Sequence, residues 1–217
     1  MREAYKDQLD GILDDLVIMT HQVKRAVSQS TIALLTGDAG VAEQVISDDA
    51  DIDRARERIE DKCFELLSLQ QPVAGDLRQI VAGLRMVAEL ERMGDLAVHV
   101  AKVARLRLPH TAVPESIEPS VRRMAAVAQD MVSKVAVVIA ERDVDAAREV
   151  EAADEEIDKL RRATFQEILD PGWAHGVEPA IDIALLGRYY ERIADHAVSL
   201  ARRVVFLVTG EHPGAQH

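Results

Sequence analysis

The run ERMGDLAV at Glu91–Val98 returns as ERIADHAV at Glu191–Val198. The register is constant at 100 residues over 91–104 and 191–204, and six of the fourteen positions are identical. Upstream, Val45–Asp53 matches Val150–Asp158 at an offset of 105 residues, and the apolar line Leu16, Met19, Val23, Ala26 reappears as Val121, Met124, Ala128, Met131 at the same offset. The drop from 105 to 100 puts a five-residue length difference between the second and third elements of the two halves. Such a chain must fold as two copies of one unit of roughly 100 residues, each burying its apolar face in the same way.

The unit is helical. In 3–36, Leu9, Ile12, Leu16, Met19, Val23, Ala26, Ser30 and Ala33 alternate spacings of three and four, which draws one helical stripe. Gly37 and Asp38 stop it, the glycine for a left-handed C-terminal position and Asp38 as a cap for the next helix, about 40–69. Gln70-Gln71-Pro72 breaks that helix, and Asp76 is the expected cap of a third, running to about Leu106. The second half predicts helices near 115–141, 143–169 and 178–208, with Asp170-Pro171-Gly172 as a break and Pro179 in a first turn. Aromatic residues at 3% also disfavour a sandwich or barrel. The reading is all-α, with two tandem, repeat-related three-helix bundles at 1–108 and 115–210. A linker at 109–114, within the proline-containing stretch 109–120, would let the bundles shift, and 211–217 is a flexible tail.

Composition excludes several functions. A formal charge of −12 disfavours general binding to nucleic acid, and the pairs Arg122–Arg123, Arg161–Arg162 and Arg202–Arg203 read as solvated helix faces. The opening residues mix charge with apolar positions and no apolar run is long enough to cross a membrane, so the expectation is a cytoplasmic chain without insertion. The single Cys63 allows no intrachain disulfide. There is no glycine-rich nucleotide loop and no nucleophile with a base partner, so no enzyme is expected.

The candidate site lies in acidic pairs. Glu91 with Asp95, Glu191 with Asp195, Asp49 with Asp53, and Asp154 with Asp158 are each four apart, so each pair shares a helix face. Such pairs are common in a chain with 38 acidic residues; recurrence at matching places in both halves is not. Glu91 also interrupts the apolar line Leu84, Ala88, Val98. Crowded carboxylates that lose water need a positive partner. Arg92 and Arg192 could supply it as salt bridges, or a metal could: the donors are hard, all-oxygen, and suit iron, manganese, magnesium or zinc. His99 lies one turn beyond Asp95, His196 does not share a face with Asp195, and the other histidines show no ligand spacing. Alanines 146, 147, 152 and 153 suggest an apolar face for a homodimer.

The stretch QPVAGDLR at Gln71–Arg78, leading into the Glu91–Asp95 helix with its Glu191–Asp195 echo, resembles the PhoU family of bacterial regulators of phosphate uptake. The likeness spans essentially the whole chain, although the second half has no clear copy of QPVAGDLR. It implies two three-helix bundles and multinuclear iron or zinc on the acidic motifs. The positions carried over are Asp49, Asp53, Glu91 and Asp95, then Asp154, Asp158, Glu191 and Asp195. It further implies a homodimer that couples a phosphate ABC transporter, through its ATPase subunit, to a sensor histidine kinase and keeps starvation genes off. A ferritin-like di-metal oxidase or store is the alternative, weakened by the lack of Glu-x-x-His beside either site. A metal-free helical scaffold is a third.

Overall fold

The computed structural model describes residues 2–70, 72 and 74–211. Most of the tail expected over 211–217, and Gln71 and Val73 of the entry segment, lie outside the described residues. Six helices follow one another: α1 (Arg2–Thr36), α2 (Ala39–Gln70), α3 (Gly75–Leu106), α4 (Glu118–Glu141), α5 (Val144–Ile168) and α6 (Val177–Thr209), with no strand among the described residues. The first three pack into one bundle and the last three into another.

The repeat is visible in the turns. Gly37 (φ 66°) and Arg142 (φ 54°) occupy the same left-handed position 105 residues apart. Arginine has a Cβ and pays roughly 1–2 kcal/mol for that conformation; glycine does not. Asp38 Oδ1 accepts from Val41 N at 3.0 Å, and Asp143 Oδ1 accepts from Asp145 N and Ala146 N, so an aspartate caps each second helix. The third helices differ. Asp76 does not cap α3; Ala74 holds the N-cap position at φ 49° without a side-chain bond, and Asp76 sits in the first turn, where it meets the helix dipole. At α6 the cap is Gly176 (φ 84°), and Trp173 Nε1 donates to its carbonyl at 2.8 Å. Helix α4 starts at Glu118, three residues later than 115, with Pro119 in its first turn.

The two bundles do not hang on a flexible connection. Helix α1 packs against α4 and α3 against α6, so each interface helix meets its own repeat. The pairs run antiparallel: Arg107 Nε at the end of α3 reaches Asp182 Oδ2 in the first turns of α6 at 2.6 Å, and the Arg78 guanidinium at the start of α3 lies 5.5 Å over the Phe206 ring near the end of α6. Tyr190 is fully buried between the halves, its hydroxyl 2.9 Å from Thr31 Oγ1. The connection itself is packed, with Ala112, Val113 and Ile117 in a core continuous across both bundles. The shift expected of segment 109–120 would pull these side chains into water, so the connection is a fixed strap.

The alanine face of α5 is also not free. Ala147 is buried, Ala146 and Ala153 pack against the core, and Ala152 alone of the four is exposed. Exposed large apolar residues lie elsewhere, at Phe64, Leu169, Val177 and Ile181 among others.

Candidate metal centre

In the first bundle, α2 presents Asp49 and Asp53 toward Glu91 and Asp95 of α3. Gly94 permits the approach: a Cβ there would stand 3.0 Å from Ile52 Cδ1 and 3.6 Å from Asp49 Oδ1. The four groups feel one another. Burial, then Asp95 and Asp53, push the Asp49 carboxyl up to about 6, with Lys102 opposing. Burial and Asp95 raise Glu91, against the pull of Arg56. Among the described residues none of these four carboxylates has a hydrogen-bond or ion-pair partner. Cations act on this set only from beyond ion-pair distance, Lys102 on Asp49 and Arg56 and Arg92 on Glu91.

The second bundle repeats the carboxylates and not the isolation. Burial and Asp195 raise Asp154, and burial and Glu191 raise Asp195. Glu191, however, is buried between two cations: Arg161 Nε at 3.2 Å and Arg188. Asp158 has Arg162 at 3.7 Å. The counterpart of Arg161 in the first bundle is Arg56, which turns away to Glu60 at 3.4 Å. Where the first repeat has Glu60, the second has Phe165, whose ring lies 5.5 Å from the Arg161 guanidinium carbon and leaves it free for Glu191. Arg188 stands where the first repeat has Ala88. Arg92 and Arg192, the expected partners, point outward and make no ion pair among the described residues.

The donor chemistry of the first cluster fits a divalent or trivalent cation: hard oxygens, lacking partners, on two facing helices. In this arrangement the carboxylates share a groove without converging, and no three acidic, histidine or cysteine groups among the described residues form a ready ligand set. Asp53 and Asp95 are exposed, and Asp49 and Glu91 are half-buried.

The sequence profile of the PhoU domain matches residues 16–104 and 121–204, each match holding one full acidic set. The chain is also 44% identical over 213 residues to the phosphate-specific transport system accessory protein PhoU homolog 2 of Mycobacterium tuberculosis, covering 98% of this chain and all of that one. This chain belongs to the PhoU family. Two solved PhoU structures share its fold. The one from Pseudomonas aeruginosa superposes with a TM-score of 0.88 at 30% identity, over 95% of this chain and 100% of that one. The phosphate transport system regulatory protein PhoU from Streptococcus pneumoniae gives 0.87 at 26% identity, over 96% and 99%.

Outside the acidic sets, two histidines, His99 and His196, serve the interface between the two PhoU domains. His99 stacks on Tyr189 with ring centres 5.3 Å apart. His196 turns from Asp195 to Glu89, with Nδ1 2.7 Å from Oε2, and Arg203 donates to the other Glu89 oxygen at 3.0 Å. The hydrogen bond from His196, aided by Arg203 and opposed by burial, lowers the Glu89 carboxyl to about 2. Sequence reading passed over Glu89, although it stands among the buried apolar positions Met86, Leu90 and Met93. The paired arginines are ion-paired throughout: Arg122 to Glu118, Arg123 to Glu156, Arg202 to Glu151, with Arg161, Arg162 and Arg203 as above.

Proposed function

We propose that this chain regulates phosphate uptake and phosphate-starvation signalling by binding, without catalysis. It reads the state of a phosphate ABC transporter through contacts with the transporter's ATPase subunit and conveys it to a sensor histidine kinase, so that starvation genes stay off when phosphate is plentiful. The observation that supports this most is the correspondence, end to end, with a relative named as an accessory protein of phosphate-specific transport. A rigid two-bundle body carrying −12 formal charge suits docking to basic protein surfaces and disfavours nucleic acid. No described helix is long and apolar enough to cross a membrane, which agrees with a cytoplasmic protein that reaches the membrane through its partners.

The first acidic set, Asp49, Asp53, Glu91 and Asp95, holds iron, zinc or manganese, and the cation supplies positive charge that ties α2 to α3. The second set, Asp154, Asp158, Glu191 and Asp195, is the weaker one, because Arg161 and Arg188 already neutralise Glu191. The test of the regulatory reading is a deletion strain carrying a phosphate-starvation reporter. Expression should become constitutive in high phosphate and fall again when the gene is restored, and the purified protein should bind the isolated ATPase subunit or the kinase. Continued repression after deletion, with no second such gene in the genome, would refute the reading.

A further inference from the structure

A cavity of about 240 Å³ lies between α1 and α2 of the first bundle. Its apolar wall is Ala26, Val41, Val45 and Ile52. Its polar lining carries both signs of charge and both hydrogen-bonding roles: the Arg25 guanidinium, three glutamine carboxamides, and the carboxylates of Asp48, Asp49 and Asp51. Two of these carboxylates are engaged, Asp48 by Gln44 Nε2 at 2.5 Å and Asp51 by Arg54. Arg25 and Asp49 are not. They line one cavity, stand more than ion-pair distance apart, and have no hydrogen-bond or ion-pair partner among the described residues. The amide oxygen of Gln22 also has no partner among them and is shielded from water. The cavity therefore holds a free donor fork and two free acceptors, with an aliphatic wall beside them.

The second bundle is an internal control, because its side chains at the matching positions close the seam. Ala26 corresponds to Met131 and Gln22 to Val127, both buried. Arg25 corresponds to Asp130 and Gln29 to Lys134. The Lys134 ammonium lies 3.6 Å from Asp130 and 3.4 Å from Glu149, the counterpart of Gln44. In that repeat larger apolar groups take the volume and the charges pair with one another. In the first repeat the volume stays open, and a cation, a carboxylate and a shielded amide oxygen are left over. A ligand that supplies a donor to the shielded oxygen restores a hydrogen bond lost on folding.

Such a lining selects a neutral ligand with acceptors on one edge, donors on the next and an apolar face. A cation would meet Arg25, and an anion would meet three carboxylates. We propose that this cavity binds an oxopurine, guanine or its nucleoside. Its O6 and N7 accept from the Arg25 fork, the bidentate pairing that arginine makes with guanine elsewhere. Its N1–H and 2-amino groups donate to Asp49 and to the Gln22 oxygen, and the ring lies on Ala26, Val41, Val45 and Ile52. The proposal does not depend on the regulatory reading. It is tested on chelator-treated, full-length protein, so that no metal occupies Asp49.

Titration calorimetry with guanosine should show one site per chain. Adenosine has an amino group in place of O6 and no N1–H, so it offers a donor to Arg25 and an acceptor to Asp49. It should bind at least about tenfold more weakly. Ala26→Met fills the hole as the second bundle does and should weaken guanosine binding at least about tenfold, about 1.4 kcal/mol. Arg25→Met removes the donor fork from an exposed position and should weaken it likewise; it serves on its own if Ala26→Met fails to fold by circular dichroism. Three results would overturn the proposal: guanosine does not bind the wild-type chain, adenosine binds as well as guanosine, or a folded variant keeps full affinity.

Discussion

Arg161 Nε stands 3.2 Å from Glu191 Oε1, whereas Arg56, at the same place in the first repeat, is held by Glu60 at 3.4 Å. Two differences between the repeats, Glu60 against Phe165 and Ala88 against Arg188, thus decide whether the glutamate of an acidic set is neutralised from within. The two sites should differ in metal content. Protein purified without chelator and offered iron, manganese and zinc should carry about one metal or more per chain by mass spectrometry, since unpaired carboxylates are free to bind. Asp95→Asn should remove most of it and Asp195→Asn little. Equal losses in the two variants would contradict the asymmetry, and near-zero metal in the wild type would contradict the site.

The raised Asp49 carboxyl makes stability depend on pH. Its value rises from 3.8 to about 6 on folding, so between these values the folded chain holds more protons than the unfolded chain. Stability therefore falls as pH climbs through this window, and the loss is complete above it. The shift corresponds to at most about 3 kcal/mol, reduced by solvent at this half-buried position to on the order of 1 kcal/mol. Chelator-treated Asp49→Asn should be more stable than wild type in urea at pH 8 by that amount and similar to it at pH 4. Added metal should stabilise the wild type and have much less effect on the variant.

Glu89 works with the opposite sign. Its carboxyl is lowered from 4.5 to about 2 by the His196 hydrogen bond first and Arg203 second. The stabilisation is present above the ordinary carboxylate value and is lost as pH falls toward the lowered one. Glu89→Ala leaves Arg203 and His196 facing each other at the bundle interface and should cost about 3 kcal/mol in a denaturant melt. Metal content should stay unchanged, which separates this interface from the acidic sites. A melt within about 0.5 kcal/mol of wild type would show that the cluster contributes nothing measurable.

Assembly follows from surface apolar residues other than the alanines of α5. Val177 and Ile181, 74% and 53% exposed, lie one turn apart on α6, and Leu169, 77% exposed, stands at the α5–α6 break. We expect light scattering at micromolar concentration to give the mass of a homodimer. Ile181→Glu with Val177→Glu should return the single-chain mass without loss of helicity. A wild-type mass near that of one chain would remove the dimer.

The sequence by itself determined the repeat, the six helices and the acidic pairs, because each is a local or periodic property. Leu9 through Ala33 mark a stripe by spacing alone, Gly37 and Asp38 mark a turn by backbone chemistry, and Glu91 and Asp95 share a face because a helix turns every 3.6 residues. Where such rules failed they failed by neighbourhood: Asp76 has the chemistry of a cap, and Ala74 holds the position. Tertiary structure decided which cation each carboxylate meets. Arg192 is adjacent to Glu191 in sequence and points to water, while Arg161 comes from another helix. It also decided that Glu89 meets His196 across 107 residues and that Tyr190 closes on Thr31. The cavity beside Ala26 was likewise invisible until α1 lay against α2. The physical reason is the same throughout: charge and volume are compensated between helices, at separations that no spacing along the chain records.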